Sequence, residues 1–176
     1  ALPISLTALP GDRDALVGAM RYLLATLLGS LLYLFGVVLT YHESGSLDIS
    51  VLATSTQSSP VSWAALGAMT AGLALKTALF PLHFWLPPAH SSAPAPVSAA
   101  LSALVVKASF YVLLRLWLEL FPNPGPEIGQ LLGVLGALAI LVGAIQGLRA
   151  ERLKLLIAYS TVSQLGYLFL GFPAAI

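Results

Sequence analysis

Two lysines in long apolar segments constrain what this chain can fold into more than any other feature. Lys76 and Lys107 lie 31 positions apart, and the connector between their segments carries several prolines. A lysine near the centre of a bilayer costs roughly 2.5–3.5 kcal/mol on insertion scales, so an ionisable residue at that depth indicates function. We therefore interpret Lys76 and Lys107 as the titrating groups of a transmembrane ion path.

The composition indicates a chain that is solvated by lipid. Of its 176 residues 58% are hydrophobic and 9% are charged, whereas soluble domains carry about 25% charged residues. The net charge of +1 gives no indication of nucleic-acid binding, and without cysteine this sequence can form no disulfide or thiolate-bound metal cluster. We predict an all-α, polytopic membrane helix bundle with about five transmembrane helices, as a single transmembrane region over residues 1–176.

Apolar runs between polar and proline-rich stretches give the predicted spans. We interpret residues 1–9 as the end of a helix that begins outside this sequence, because a span needs about 20 apolar residues. The serine- and threonine-rich stretch 42–60 predicts an exposed loop, and residues 87–96 predict a turn-rich connector. The predicted spans are 15–41, 61–86, 97–120, 128–148 and 155–172.

Proline predicts a break in the second span. Pro81 lacks a backbone N–H and frees the carbonyl of Thr77, while its ring distorts that turn. A broken helix at membrane depth is tolerated mainly where it is buried in protein or lines a wet cavity. The predicted break lies about one turn from Lys76, and His83 follows on nominally the same helical face.

The third span carries a polar stripe that begins at Lys107. This lysine lies about 15 Å along the helix from Val97, close to mid-membrane. Tyr111 and Arg115 follow at intervals of four residues and predict a stripe that runs from the midplane to one surface. Because this helix is predicted to be unbroken, we interpret Lys107 as the step that follows Lys76 in a relay.

The fourth and fifth spans predict helix packing. Gly129 and Gly133, and likewise Gly143 and Gly147, have the GxxxG spacing that lets two helices approach closely. The fifth span has a stripe of polar side chains that either joins helices by hydrogen bonds or lines a water path, and the sequence leaves both open. These side chains are Ser160, Ser163, Gln164 and Tyr167.

The distribution of basic residues predicts the orientation of the chain. If the spans alternate in direction, the turn before residue 15 and the turn 149–154 lie on the same side. The positive-inside rule assigns that side, with the connector that carries His90, to the cytoplasm, and the acidic stretch 42–48 to the outside. The basic residues of the cytoplasmic side are Arg13, Arg21, Arg149, Arg152 and Lys154.

The segment from Lys76 to Lys107 resembles a signature of the antiporter-like membrane subunits of respiratory complex I, Mrp-type sodium/proton antiporters and membrane-bound hydrogenases. It reads K-T-A-L-F-P-L-H-F-W-L-P-P-A-H-S-S-A-P-A-P-V-S-A-A-L-S-A-L-V-V-K, and residues 20–41 and 151–171 are similar to flanking helices of that family. The resemblance implies an inverted-repeat fold with a proton path through a broken helix that bears a lysine. Lys76 matches that lysine, Lys107 matches the lysine of the next helix, and His83 and His90 match the connecting string.

The chain also departs from this pattern. The family pairs the broken-helix lysine with a glutamate on the preceding helix, of which only residues 1–9 would be present, and most of the second inverted repeat is missing. The wording of residues 96–107 favours the Mrp and hydrogenase branch.

The function that the resemblance implies is proton translocation, alone or in exchange for Na⁺, together with other membrane subunits of a multisubunit complex. The membrane would be a bacterial or archaeal inner membrane or an organellar equivalent. The sequence predicts no cofactor, metal, redox or hydrolytic site, and leaves open whether the complex is an NADH:quinone oxidoreductase-like translocase or an antiporter. The alternatives are a structural subunit whose lysines hold helices together and a quinone- or haem-binding anchor. The second alternative is disfavoured because all three histidines fall at or near predicted loops.

Overall fold

The structure of the chain is a computed structural model, which describes residues 7–8, 11, 13–55, 59–120 and 126–175. Every regular element within these residues is helical, as the apolar sequence predicts. In chain order the elements are α1 (Arg13–Ser44), α2 (Ile49–Ser55), α3 (Pro60–Lys76), a 3-10 helix (Leu82–Trp85), α4 (Leu86–Ser92), α5 (Ala95–Leu120), α6 (Pro126–Leu148), α7 (Leu153–Phe169) and α8 (Phe172–Ala175).

Four stretches of the described chain are long and apolar enough to cross a membrane, namely α1, α5, α6 and the region Leu153–Ala174. The second predicted span is divided instead. Its first half, α3, has 17 residues and is therefore about 25 Å long, and the chain then continues through a break into the 3-10 helix and α4. The prediction of an all-α membrane bundle with one broken helix is confirmed.

The helix break begins earlier than Pro81 predicts. α3 ends at Lys76, and Ala78 has a φ of 55°, in the left-handed region that stops a helix. The hydroxyl of Thr77 donates to the carbonyl of Ala74 at 3.0 Å, so Thr77 helps to cap the end of α3. The predicted mechanism is wrong in this detail, because the helix has already ended before Pro81 could remove a bond from it.

Residues 87–96 are not the turn-rich connector that the prolines predict. α4 covers Leu86–Ser92 and has both of its prolines in the first turn, where a missing N–H breaks no intrahelical hydrogen bond. A turn of two residues separates α4 from α5. His90 therefore lies within a helix and is fully buried, contrary to its prediction as a loop residue.

α5 is not the unbroken α-helix that the sequence predicts around Lys107. Its backbone is α-helical over Ala95–Ala100 and Val106–Arg115, and π-helical over Leu101–Val105 and Leu116–Leu120. π turns are rare and occur frequently at functional sites. Lys107 is the second residue after the first π turn.

α1 packs along both halves of the broken helix through glycines. A Cβ added at Gly29 would lie 2.8 Å from the carbonyl oxygen of Gly72 in α3. A Cβ added at Gly18 would lie 2.9 Å from the carbonyl oxygen of Pro88 in α4. Backbones can approach this closely only where no side chain intervenes. One continuous helix therefore supports both halves of the broken one.

Glycines of α6 also pack closely on α7, although the pairs differ from those predicted. A Cβ at Gly136 would lie 2.8 Å from the carbonyl oxygen of Gly166, and one at Gly143 would lie 2.9 Å from that of Tyr159. By contrast, the nearest atom to a Cβ at Gly147 would be 3.8 Å away. The closest approach between these helices thus follows the seven-residue spacing of Gly136 and Gly143.

The basic turns lie together at one end of the bundle. Lys154, at the start of α7, donates to the carbonyl of Ala93 at the end of α4 with a distance of 2.9 Å. The same end of α4 packs against the beginning of α1 near Gly18. We refer to this end as the basic end.

The opposite end of the bundle carries acidic side chains. Glu43, in the last turn of α1, accepts a hydrogen bond from the hydroxyl of Ser62 in α3 at 2.6 Å. Asp48, in the turn that follows α1, accepts hydrogen bonds from the hydroxyl and the backbone N–H of Ser50, and these bonds lower the pKa of its carboxyl. The sequence therefore assigns the two charged loops to opposite ends correctly.

Candidate functional site

Lys76 is the last residue of α3 and lies against α1. Its Cγ would lie 3.0 Å from a Cβ added at Gly29, so the aliphatic stem of the lysine occupies the space that the glycine leaves. The side chain is half-buried, and its ammonium group has no ion-pair partner among the residues that the structure describes. The C-terminal end of a helix carries a partial negative charge, which stabilises a protonated lysine placed there.

Trp85 joins the two halves of the broken helix beside Lys76. Its indole N–H donates to the carbonyl of Leu75 at 2.8 Å and so satisfies one of the carbonyls at the end of α3. The ring is fully buried and stacks on Tyr22 of α1, with centroids 5.1 Å apart. Trp85 was not predicted as a site residue, although an indole N–H in an apolar segment needs an acceptor when it is buried.

His83 lies in the 3-10 helix that follows the break. Its ring stacks on Phe80 with a centroid distance of 5.6 Å. Its Nδ1 atom is buried and has no hydrogen-bond partner within the described part of the chain. Each imidazole nitrogen donates or accepts according to the tautomer, so this Nδ1 has an unused capacity to bind a proton or a water molecule.

His90 connects α4 to the beginning of α5. Its Nδ1 lies 2.7 Å from the Oγ of Ser98, and a hydroxyl can partner either tautomer of the ring. Its Nε2 is buried and has no partner among the residues described by the structure. Ser98 did not emerge from the sequence, because its eight-residue separation from His90 crosses the turn between the two helices.

Lys107 lies on a face of α5 that the described residues leave open. Leu104 and Tyr111 on the same face are 68% and 59% exposed, and Lys107 itself is exposed. The predicted stripe ends in an ion pair that was not predicted. Arg115 donates hydrogen bonds to both carboxylate oxygens of Glu119, at 2.9 and 2.7 Å. Opposite charges four residues apart are typical of ion pairs along a helix, so the spacing of Arg115 and Glu119 could have predicted this pair.

The polar side chains of α7 do not share one direction. Ser160 and Gln164 are exposed, whereas Ser163 donates to a carbonyl of α6 at 3.3 Å. The buried hydroxyl of this helix belongs to Thr161, which lies 3.0 Å from the hydroxyl of Ser102 in the first π turn of α5. Ser163 of the predicted stripe and Thr161, which the stripe did not include, therefore bond to neighbouring helices.

A polar cleft opens at the basic end of the bundle. It has a volume of about 550 Å³ and is bounded by α1, by the 3-10 helix with α4, and by α7. Two arginines line it, Arg21 of α1 and Arg152 at the start of α7, together with Asp14 and Tyr159. Because His83 also lines the cleft, the cleft reaches from the basic end to the segment that follows the helix break.

The predicted relay residues are not joined directly. Among the described residues, no hydrogen bond or ion pair links Lys76, His83, His90 and Lys107 to one another. The same residues contain no group of three or more His, Asp or Glu side chains that could hold a metal ion. Proton transfer between the predicted sites would therefore need water or further groups.

Comparison with known proteins places the chain in one family. Residues 4–175 match the family described as NADH:quinone oxidoreductase/Mrp antiporter, TM. NADH-quinone oxidoreductase subunit N of Desulforudis audaxviator is 42% identical over 166 residues, which make up 92% of this chain and 33% of that protein. The chain thus spans about a third of the length of the curated relatives that it matches.

Solved structures show the same similarity. A chain of the membrane-bound sulfane sulfur reductase, an archaeal respiratory membrane complex, superposes with a TM-score of 0.89 at 31% identity, over 97% of this chain and 36% of that one. A chain of the Mrp complex from Dietzia sp. superposes with a TM-score of 0.85 at 25% identity, over 92% and 30%. This curated relative is named as a subunit of NADH-quinone oxidoreductase, whereas residues 96–107 favour the Mrp and hydrogenase branch. The chain belongs to the NADH:quinone oxidoreductase/Mrp antiporter transmembrane family, and it is an integral membrane protein.

Proposed function

We propose that this chain forms part of a path for protons across an energy-transducing membrane, with Lys76 as a group that changes its protonation state near mid-membrane. The position of Lys76 carries the proposal. It is half-buried, ends α3 at the helix break, and has no carboxylate partner among the described residues. A lysine, unlike an arginine, can give up its proton inside a protein.

The break places Lys76 at the end of α3, where the partial negative charge of the helix C-terminus lies beside its ammonium group. A charge without a partner is costly within a membrane, so the free energy of this position depends on the charges and the water around it. The resemblance implies a glutamate on the helix that precedes α1, which would supply a carboxylate partner for Lys76.

The polar cleft supports a route for protons from the basic end. It reaches His83, whose buried Nδ1 has no partner among the described residues, and His83 follows the break seven residues after Lys76. His90 and Ser98 form a second buried polar pair, between α4 and α5. We propose that water links these groups to Lys76.

Lys107 continues the path on the exposed face of α5. A lysine that faced lipid at this depth would be costly, so this face requires a protein or water environment. The matched segment makes up about a third of the relatives' length. This supports the proposal that a further part of the protein, or another membrane subunit, covers the face around Lys107. Tyr111 and Arg115 then lead from Lys107 to the acidic end.

This assignment makes the chain a proton-translocating, antiporter-like subunit of a complex I-related or Mrp-type complex in a cell inner membrane, with the basic end in the cytoplasm. Protons are the proposed cargo, moved alone or in exchange for Na⁺. The similar solved chains come from multisubunit membrane complexes, which supports other membrane subunits as partners.

Neutralising each lysine in the full-length protein within its complex tests the proposal. Lys76→Ala and Lys107→Ala should each lower proton transport by about tenfold or more, since a proton-transfer group is lost. Assembly should be unaffected, because neither lysine has an ion-pair partner among the described residues and a carboxyl group that loses its partner can become neutral by taking up a proton. Proton uptake into proteoliposomes and size-exclusion chromatography measure the two properties, with exposed Arg13→Gln as the control.

The alternative, that Lys76 only holds helices together, has one observation in its favour, which is the packing of its stem on α1. Lys76→Met separates the two functions because methionine keeps an unbranched apolar stem and lacks the charge. Wild-type transport by Lys76→Met would show that the lysine serves packing and would contradict the proton path.

A further inference from the structure

The polar cleft at the basic end contains two cations that nothing described neutralises. Arg21 and Arg152 both line it, the first from α1 and the second at the start of α7. The one ion pair among the described residues, Arg115 with Glu119, belongs to α5. Both guanidinium groups of the cleft are therefore free of a carboxylate partner within the described part of the chain.

The N-terminus of α7 adds to the positive character of the same cleft. α7 is 17 residues long, and no side chain caps its beginning at Arg152. Leu155 in its first turn lines the cleft beside Arg152. The N–H of Leu155 donates to the carbonyl of Arg152 at 2.9 Å, so α7 contributes to the cleft the partial positive charge of its N-terminus, which favours an anion.

The charges that line the cleft favour an anion over a cation. Among the described residues that line it, Asp14 is the one carboxylate, against the two guanidinium groups. Lys154, whose ammonium donates to the carbonyl of Ala93, adds a further positive charge at the same end of the bundle. Guanidinium groups frequently bind phosphate through two parallel hydrogen bonds, which add both energy and geometric specificity.

The surroundings of the cleft favour a lipid as the source of that phosphate. Arg21 lies about 12 Å along α1 from Arg13, a depth at which the side chain can reach the membrane interface. Farther along α1, apolar side chains at helical spacing are each more than half exposed and offer a surface for acyl chains. They are Leu24, Leu28 and Leu31, with 57%, 53% and 56% exposure.

We infer that the cleft binds the phosphate group of an anionic phospholipid from the leaflet at the basic end, between Arg21 and Arg152. A headgroup whose only charge is its phosphate fits this site. A choline headgroup fits less well, because its own cation would lie close to the two arginines. The headgroup would share the cleft with the proposed proton route, but the test below measures lipid binding and does not depend on proton transport.

The test measures lipid binding to the full-length protein within its native complex, purified in detergent and stripped of lipid. Native mass spectrometry follows titration with phosphatidylglycerol and, separately, with phosphatidylcholine. Arg21→Gln and Arg152→Gln should each weaken phosphatidylglycerol binding by about tenfold, as expected for the loss of one charged hydrogen-bonding partner. Arg149→Gln is the matched control, since Arg149 lies in the same basic turn and does not line the cleft.

Several results would overturn the inference. The first is that phosphatidylglycerol and phosphatidylcholine bind equally well. The second is that Arg21→Gln and Arg152→Gln both retain wild-type binding of phosphatidylglycerol. The third is that Arg149→Gln loses as much phosphatidylglycerol binding as the cleft variants do. Inorganic phosphate that competes at the same concentration as phosphatidylglycerol would show that the site takes free phosphate and would overturn the lipid as its source. Arg21→Lys and Arg152→Lys keep the charge without the fork and should bind with intermediate affinity, which provides a test if a glutamine variant fails to fold.

Discussion

Lys76 and Lys107 differ in their surroundings, and the difference predicts unequal effects of arginine at the two positions. The stem of Lys76 is packed where α1 has only Gly29, whereas Lys107 lies on an open face of α5. Arginine is bulkier and keeps its proton throughout the physiological range. Lys76→Arg should therefore lower the initial rate of proton uptake by about tenfold or more, and Lys107→Arg should lower it less.

Proteoliposomes that contain the full-length complex allow this comparison, with the amount of assembled protein as the reference. Equal rates in wild type and Lys76→Arg would exclude a titrating function of this lysine. A larger loss at Lys107 would instead assign the more demanding step to α5.

Single residues were predictable where their chemistry conflicts with the membrane. Lys76 and Lys107 stand out because each is costly in an apolar segment. Trp85 and Ser98 did not stand out, because the importance of each depends on a partner across a break or a turn. The left-handed backbone at Ala78 was also not predictable, since nothing in an alanine side chain favours it.

At the level of elements, the contact between Trp85 and Leu75 predicts how the broken helix is held. Trp85→Phe keeps an aromatic ring against Tyr22 and removes the indole N–H that donates to the carbonyl of Leu75. That carbonyl keeps a longer bond from the N–H of Ala78 at 3.2 Å, so the substitution removes one of its hydrogen bonds and should cost about 0.5–1.5 kcal/mol. The variant should therefore unfold at lower temperature in detergent, and its proton transport should fall because the end of α3 loses a tie to the 3-10 helix.

Trp63→Phe is the matched control for this prediction. Trp63 lies in α3 and is 40% exposed, so the loss of its indole N–H leaves no buried group unpaired. Circular dichroism during heating measures the stability of both variants. Equal unfolding temperatures for the two variants would show that the Trp85 bond does not hold the break together.

The glycine contacts of α1 give a second prediction at this level. A Cβ at Gly29 would approach both the backbone of Gly72 and the stem of Lys76, so Gly29→Ala forces α1 away from α3. Overpacking of this kind typically costs about 1–3 kcal/mol. Gly67→Ala on α3 meets nothing within 4 Å and should gain about 0.5–1 kcal/mol from the higher helix propensity of alanine. Opposite shifts in unfolding temperature are expected, and shifts of the same sign would contradict close packing at Gly29.

The elements were predictable from apolar length and not from proline alone. Prolines 87 and 88 suggested a turn, yet both fit the first turn of α4, where they cost no hydrogen bond. The π turns of α5 have no sequence signal, because an extra residue per turn is stabilised by what packs around it. The first of them contains Ser102, which meets Thr161 of α7, a contact between residues far apart in the sequence.

At the level of the whole molecule, charged side chains and their contacts distinguish two ends of the helix bundle. Lys154 binds the end of α4 at the basic end, and Glu43 binds Ser62 at the other. The open face around Lys107 could not be interpreted from the sequence, because the exposure of a side chain depends on which distant parts of the chain pack beside it.

The separation of the ends predicts the membrane orientation. By the positive-inside rule, the five basic residues at one end predict that this end lies in the cytoplasm and that the loop between α1 and α2 lies outside. This chain contains no cysteine, so single cysteines at exposed positions report on each end without background from it. Leu47→Cys at the acidic end and Glu151→Cys at the basic end are suitable, since both side chains are exposed. In sealed right-side-out vesicles, a membrane-impermeant maleimide should label Leu47→Cys alone, and permeabilisation should add Glu151→Cys. Labelling of both positions before permeabilisation would contradict the arrangement of the spans, and labelling of Glu151→Cys alone would reverse the orientation and place the polar cleft outside.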